Sequence, residues 1–212
     1  MMRIEKKDNL SVRRLHPHEI PAALFVYSRF GRDGAWAAAC LEDLCSQGEV
    51  WGGFRDGRML VCGALCPADA ANVQSRALQT AFPQATWHML PVASLDASAV
   101  KAFLRLLDGR MAQLAGAAHW TAILPVKTGE CLLPGYLDAG FEVHLVRPLE
   151  QLRPHYLLRK TFGRPDLCEV CAFPVRDTYA VSKALENGFA GDKVFWRQDV
   201  RWLEMYRAQK NF

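Results

Sequence analysis

The feature that most limits the fold is a helical pattern set between two apolar strand patterns. Over residues 97–115, Val100, Phe103, Leu104, Leu107, Met111, Leu114 and Ala115 recur at the spacing of one helical face. Lys101, Arg105, Asp108 and Arg110 fall on the other. Gly109 costs about 1 kcal/mol against alanine but sits near the polar side and leaves the pattern intact. Residues 86–92 (TWHMLPV) ahead of this helix and 118–127 (AHWTAILPVK) behind it are apolar runs of strand length. Strand, helix, strand in this order implies a parallel pair joined by a right-handed crossover. A short helix then leads to Gly140-Phe141, where a third strand starts; Pro134 would clash with an interior turn unless this helix begins close to Leu133.

The remaining pairings read as antiparallel. Residues 50–54 and 59–66 flank Arg55-Asp56-Gly57-Arg58, and Asp-Gly supplies the positive φ of a tight hairpin turn. Residues 141–149 and 155–162 form a closing hairpin. Residues 10–15 are a first strand, broken by His16-Pro17-His18. A helix over 19–30 carries Ile20, Ala23, Leu24 and Tyr27 on one face. A second helix runs from an Asp33 N-cap through Ala37, Cys40, Leu41, Leu44 and Cys45 to Gly48. Residues 67–85 are long for a hairpin connection and hold one or two helical turns over 73–82, as a solvated excursion or a substrate loop. The predicted class is α/β (α+β), with a mixed, mostly antiparallel central sheet flanked by helices.

Residues 1–162 are read as one domain and 163–212 as an extension, strand–helix–helix, packing on the body or on a second subunit. Its strand covers 169–175, and Asp177 caps a helix ending at Asn187 before Gly188. Its final helix starts at Asp192 and carries Phe195, Trp196, Val200, Trp202, Leu203 and Tyr206 on a broad arc. Leu124-Pro125-Val126-Lys127 leading to Ala139-Gly140-Phe141 echoes Phe173-Pro174-Val175-Arg176 leading to Asn187-Gly188-Phe189. The spacings differ by one residue, so the match is a duplicated strand–helix unit or, as the more economical account of so short a match, chance.

Composition narrows the function. A formal net charge of +4 without a basic stripe argues against a nucleic-acid partner. No apolar run approaches the ~18 residues of a membrane span. Asp199 and Glu204 share the surface of Lys193, Arg197, Arg201 and Arg207, which argues against a membrane-surface helix. Seven cysteines, an odd number scattered through apolar segments, and the lack of a signal peptide point to a reducing, cytoplasmic setting. Cys168-Glu169-Val170-Cys171 has metal-like spacing but no second pair to complete four ligands. Motifs of serine hydrolases, Walker nucleotidases and zinc peptidases are absent from the sequence.

The order strand, two helices, hairpin, central strand, long helix, strand, short helix and closing hairpin resembles the GNAT (Gcn5-related N-acetyltransferase) superfamily over residues 11–162. Tyr136-Leu137-Asp138-Ala139-Gly140-Phe141 is similar to that family's tyrosine, three variable residues and Gly-Phe. The resemblance implies an acyl-CoA-dependent N-acyltransferase, with acetyl-CoA as co-substrate between strands 86–92 and 118–127. It implies a small-molecule or peptide amine as acceptor, and it allows a homodimer through the extension. Tyr136 then becomes the acid that protonates the departing thiolate. A phenol with pKa near 10 suffices for a thiolate with pKa near 8.5. A ring that merely packs is the structural alternative.

The same resemblance assigns cofactor binding to Leu90 and Val92 on the central strand and to the loop that follows. The family's Arg/Gln-x-x-Gly-x-Gly/Ala falls on Ser94-Leu95-Asp96-Ala97-Ser98-Ala99, so Ser94, Ala97, Ser98 and Ala99 are the expected diphosphate contacts. Serine replaces the basic residue, alanines replace the glycines, and Asp96 adds a charge worth about 1 kcal/mol at ~4 Å from a phosphate in bulk water. Asp96 is equally an N-cap for the long helix. This departure leaves a second reading, a catalytically inactive GNAT-like binding or regulatory module whose partner surface is the tryptophan-bearing C-terminal helix. For a base, His88 has the right pKa range and Glu49 is the weaker candidate. A packed histidine and a solvated glutamate are their structural alternatives.

Overall fold

A computed structural model describes residues 10–30, 41, 48–69, 73–115, 120–149, 153–160 and 168–208. The second helix expected between Asp33 and Gly48 lies outside them, apart from Leu41 and Gly48. Strand β1 (Ser11–Arg14) leads through a 3-10 turn at Pro17–Glu19 into helix α1 (Ile20–Phe30). The hairpin β2 (Glu49–Arg55) and β3 (Arg58–Pro67) turns on Asp56 and Gly57, both at positive φ, as the Asp-Gly pair requires. Helix α2 (Val73–Ala81) occupies the long connection to β4 (Trp87–Met89), and β5 (Ala93–Ser94) precedes α3 (Ala97–Ala115). Then come β6 (Trp120–Pro125), α4 (Val126–Asp138), β7 (Phe141–Pro148) and β8 (Pro154–Lys160). The chain ends with β9 (Cys168–Pro174), α5 (Thr178–Glu186), β10 (Ala190–Arg197) and β11 (Val200–Ala208).

Among the described residues these strands form one eleven-stranded sheet, ordered β1-β2-β3-β4-β6-β8-β7-β10-β11-β9, with β5 paired to β3. The β4–β6 pair is parallel, as the crossover through α3 demands, and the other pairings are antiparallel. Period-two alternation divides the core. Val61, Leu65, Met89, Ala122 and Leu124 point to one face, where Phe103 and Leu107 of α3 and Leu133 of α4 cover them, and Val181 of α5 belongs to the same core over β7. Cys62, Ala64 and Leu90 point to the other, under Ala23 and Val26 of α1, while Leu78 of α2 sits on Ile123 and Leu157. No helix among the described residues is long and apolar enough to cross a membrane.

The final helix expected from Asp192 is replaced by the hairpin β10–β11. Gln198 and Asp199 turn it, at φ 51° and 58°. Gly191 lets Leu203 close over it, since a Cβ there would lie 2.8 Å from a Leu203 methyl. Leu203 and Met205 point into the core while Trp202 and Glu204 do not, so the broad apolar arc was a strand's alternation. Trp196 remains exposed, with the Arg201 guanidinium 4.7 Å over its ring.

Two further boundaries moved. The central strand expected over 86–92 keeps its ladder only to Met89, and the strand expected over 118–127 stops at Pro125. The helix after it begins at Val126, so Pro134 lies inside α4 instead of near its start. The sequence echo is also more than chance. In β6-α4-β7-β8 and in β9-α5-β10-β11 the last strand lies between the other two. Gly140 and Gly188 leave their helices at φ 85° and 82°, and the strands that follow are irregular at Val143/Leu145 and Gly191/Lys193, matching positions of the two units. The units meet where Val143 pairs with Gly191, antiparallel, so a rough two-fold relates them.

Candidate active site

The site starts where β4 and β6 part. Their ladder ends at Met89↔Ala122, while β6 continues to Pro125 against β8. The chain beyond Met89 stays with β3 instead: Leu90 N donates to Ala64 O at 2.9 Å, and Ala93 and Ser94 pair with Cys62 and Val61. Tyr27 of α1 donates to the Pro91 carbonyl at 2.7 Å, which holds this segment from the opposite face. The result is a wedge between Val92 and the second half of β6.

Tyr136 of α4 enters that wedge. Its ring meets Phe141 edge-on, with centroids 5.7 Å apart, and Val92 N donates to its hydroxyl at 3.2 Å. Gly135 beside it brings α4 close to α3, since a Cβ there would stand 3.0 Å from Val100 and 3.3 Å from the Lys101 amide. The tyrosine is fully buried, and burial raises its pKa despite the opposing pull of the Val92 amide. It is therefore a phenol at neutral pH. Among the described residues its hydroxyl makes no second hydrogen bond, so its own proton is left to give.

The loop after Val92 differs from a phosphate cradle. Ser94 is buried, donating to the Asp96 carbonyl at 2.6 Å and accepting from the Asp96 amide at 3.1 Å. Asp96 caps α3 as expected, taking hydrogen bonds from Ser98 N at 3.0 Å and Ser98 Oγ at 2.6 Å. Arg55, from the β2–β3 turn, donates to its other oxygen at 3.0 Å. The Ser98 hydroxyl first, then the Ser98 amide and Arg55, hold the Asp96 carboxyl below the usual range. Ala97 and Ser98 are exposed, whereas Ala99 is buried and its amide donates to Asp96 O. The wedge thus presents a buried phenol, and the start of α3 a capped helix with a basic residue close by.

His88 stands on the opposite face of β4 from Met89 and is fully buried. Its Nδ1 shares a hydrogen bond of 2.6 Å with Thr121 Oγ1, and its Nε2 is buried with no hydrogen-bond partner. Burial pulls its pKa down to about 4, against the backbone of Ala68 and Trp87, so the imidazole is neutral at pH 7. Tyr136 and His88 therefore flank the end of the β4–β6 ladder from its two faces. Glu49 lies elsewhere and is not a solvated charge. It is 7% exposed and takes hydrogen bonds from Arg110 Nε at 3.1 Å and Trp51 Nε1 at 3.0 Å. The Arg110 hydrogen bonds above all hold its pKa down, which makes it a structural ion pair. Thr121 and Arg55 were missed in the sequence, because each becomes relevant only through cross-strand or hairpin neighbours.

Neither family models nor curated proteins match the chain in sequence. Solved structures match it in shape. A GNAT-family acetyltransferase from Streptococcus agalactiae superposes with a TM-score of 0.52 at 14% identity, covering 73% of this chain and 97% of its own. An N-acetyltransferase from Staphylococcus aureus gives 0.52 at 8% identity, over 71% and 96%. The aminoglycoside acetyltransferase AAC(6')-Ib, in complex with ribostamycin and coenzyme A, gives 0.54 at 13%, over 75% and 99%. This chain has the fold of the GNAT acetyltransferases.

Proposed function

We propose that the protein is an acyl-CoA-dependent N-acyltransferase that moves an acetyl group from acetyl-CoA to the amine of a small molecule or peptide. The observation that carries this reading is the wedge at Met89↔Ala122 with the Tyr136 hydroxyl inside it, bonded to Val92 N and still holding a proton to donate. Structures of the same fold are seen with coenzyme A or acetyl-CoA and an aminoglycoside, which supports the same co-substrate and a small acceptor here. Leu90, Val92, Ser94, Ala97, Ser98 and Ala99 follow one another in the chain from the wedge to the start of α3, and we assign them to cofactor binding.

Acetyl-CoA, when bound, supplies an acetyl group activated as a thioester. Tyr136 keeps its proton on Oη in a water-free setting and gives it to the sulfur as the C–S bond breaks. His88, neutral and with Nε2 unbonded, is the base candidate for the proton that the acceptor nitrogen loses as the C–N bond forms, and its pKa of about 4 makes it a weak one. Tyr136 has a second, structural effect, since its hydroxyl ties Val92 to α4.

One observation favours a second reading, the catalytically inactive module. Asp96 occupies the α3 amide that a diphosphate would use. The two readings part on Tyr136→Phe, assayed by thiol release with an amine acceptor. The enzyme reading expects kcat to fall about a hundredfold, within the usual span for a general acid, at little cost in acetyl-CoA affinity. Unchanged turnover would remove Tyr136 from the chemistry, and no turnover in the parent protein would favour the module. The variant leaves Val92 N unpaired, at about 1–3 kcal/mol of stability, so its folding is checked in parallel.

A further inference from the structure

A pocket of about 290 Å³ opens on the His88 face of the sheet, between the end of α2 at Ala81 and Phe82, Gln84 beyond it, and Thr121 and Arg159 on β6 and β8. The ladders place His88 beside Thr121 and Thr121 beside Arg159, so the three stand in a row on one face across adjacent strands. Neighbouring strands are ~4.8 Å apart, which sets Arg159 about 10 Å from His88 at the backbone. Thr121 joins the two ends, since its hydroxyl is bonded to His88 Nδ1 at 2.6 Å and its side chain lines the pocket.

Arg159 is exposed at the pocket and, among the described residues, its side chain makes no hydrogen bond, ion pair or ring contact. Its cross-strand neighbour Glu142 does not neutralise it. Glu142 is buried and turned to the Tyr206 hydroxyl at 2.8 Å, with His144 Nε2 at 3.5 Å. An unpaired guanidinium on a pocket wall presents a planar fork of donors that matches a carboxylate or a phosphate.

We propose, on the basis of the acyltransferase reading, that the acceptor is a small amine that also carries an anionic group. Arg159 holds the anion in this pocket, and the amine is directed toward Thr121, whose hydroxyl is bonded to the buried His88. The pocket lies at the small end of ligand sites, which run from roughly 300 to 1,000 Å³, and suits a molecule of amino-acid size. A polycation such as an aminoglycoside would instead bring like charge against Arg159, at about 1 kcal/mol per charge at ~4 Å even in bulk water.

The test is a titration of the full chain with amino acids and with the carboxamides of the same amino acids, together with phosphoethanolamine and ethanolamine. It is followed by the side-chain nitrogen resonance of Arg159 and by thiol release from acetyl-CoA. At least one anionic member is expected to bind saturably and be acetylated, about tenfold or more better than its uncharged counterpart, in Kd and kcat/KM alike. Arg159→Gln should erase that preference without lowering turnover of the carboxamide, and Arg159→Lys should restore part of it. The amino-acid and phosphoethanolamine arms tell a carboxylate site from a phosphate site. Equal treatment of acids and amides, a parallel loss for both in Arg159→Gln, or no binding by any member overturns the proposal. Acetyl-CoA affinity measured on the same sample separates the two claims. If it binds and no anionic preference appears, only the acceptor assignment fails; if it does not bind, the acyltransferase reading fails and takes the acceptor assignment with it.

Discussion

Asp96 is the residue at which two demands on α3 collide. As an N-cap it satisfies an amide of the first turn and takes a hydrogen bond from Arg55. As a neighbour of a diphosphate it is the wrong charge. Asn caps a helix about as well as Asp, so Asp96→Asn keeps the turn and removes the charge. We expect acetyl-CoA to bind roughly fivefold tighter, from about 1 kcal/mol of relieved repulsion. Calorimetry on the variant checks this, and unchanged or weaker affinity would place the diphosphate away from α3. Sequence reasoning could identify Tyr136 and Asp96, because Tyr-x-x-x-Gly-Phe and an aspartate before a helical run are local patterns. The Thr121–His88 and Arg55–Asp96 pairs were hidden, since their partners lie far apart in sequence and meet only through strand register and a hairpin tip.

At the scale of elements, β10–β11 is where the sequence reading failed most plainly. Phe195, Trp196, Val200, Trp202 and Tyr206 are β-formers, and their alternation was hidden by the tight turn that interrupts it. Nothing in Gln198-Asp199 resembles the Asn-Gly or Asp-Gly that marked the β2–β3 turn, yet both residues hold positive φ. Asp199→Gly relieves that conformation and should raise stability by up to about 1 kcal/mol in urea unfolding. A helix at the same place would lose about 1 kcal/mol from the same change, so the sign decides between the structures. Helix α4 was mis-set for a related reason. Pro134 signals a helix start, but packing against α3 through Gly135 and burial of Leu132, Leu133 and Tyr136 carry the helix through it.

On the scale of the whole molecule, the sheet does not end where the acetyltransferase resemblance ends. Val175, Val181, Leu203 and Met205 share one core with Tyr136 and Trp120, and Tyr156 donates to the Val175 carbonyl. Residues 168–208 extend the sheet from β7 as a second strand–helix–hairpin unit, so we expect a chain cut after residue 162 to expose the β7 edge and the apolar underside of α4. Such a fragment should lose cooperative thermal unfolding and associate at micromolar concentration. A monomeric fragment with the parent's Tm would make the extension a separate domain. Whether the wedge closed by Tyr136 receives an acyl-CoA is tested most directly by calorimetric titration of the full chain with acetyl-CoA. Saturable binding, weakened for dephosphorylated pantetheine thioester, is the expected result; no heat of binding at millimolar acetyl-CoA would contradict the acyltransferase reading.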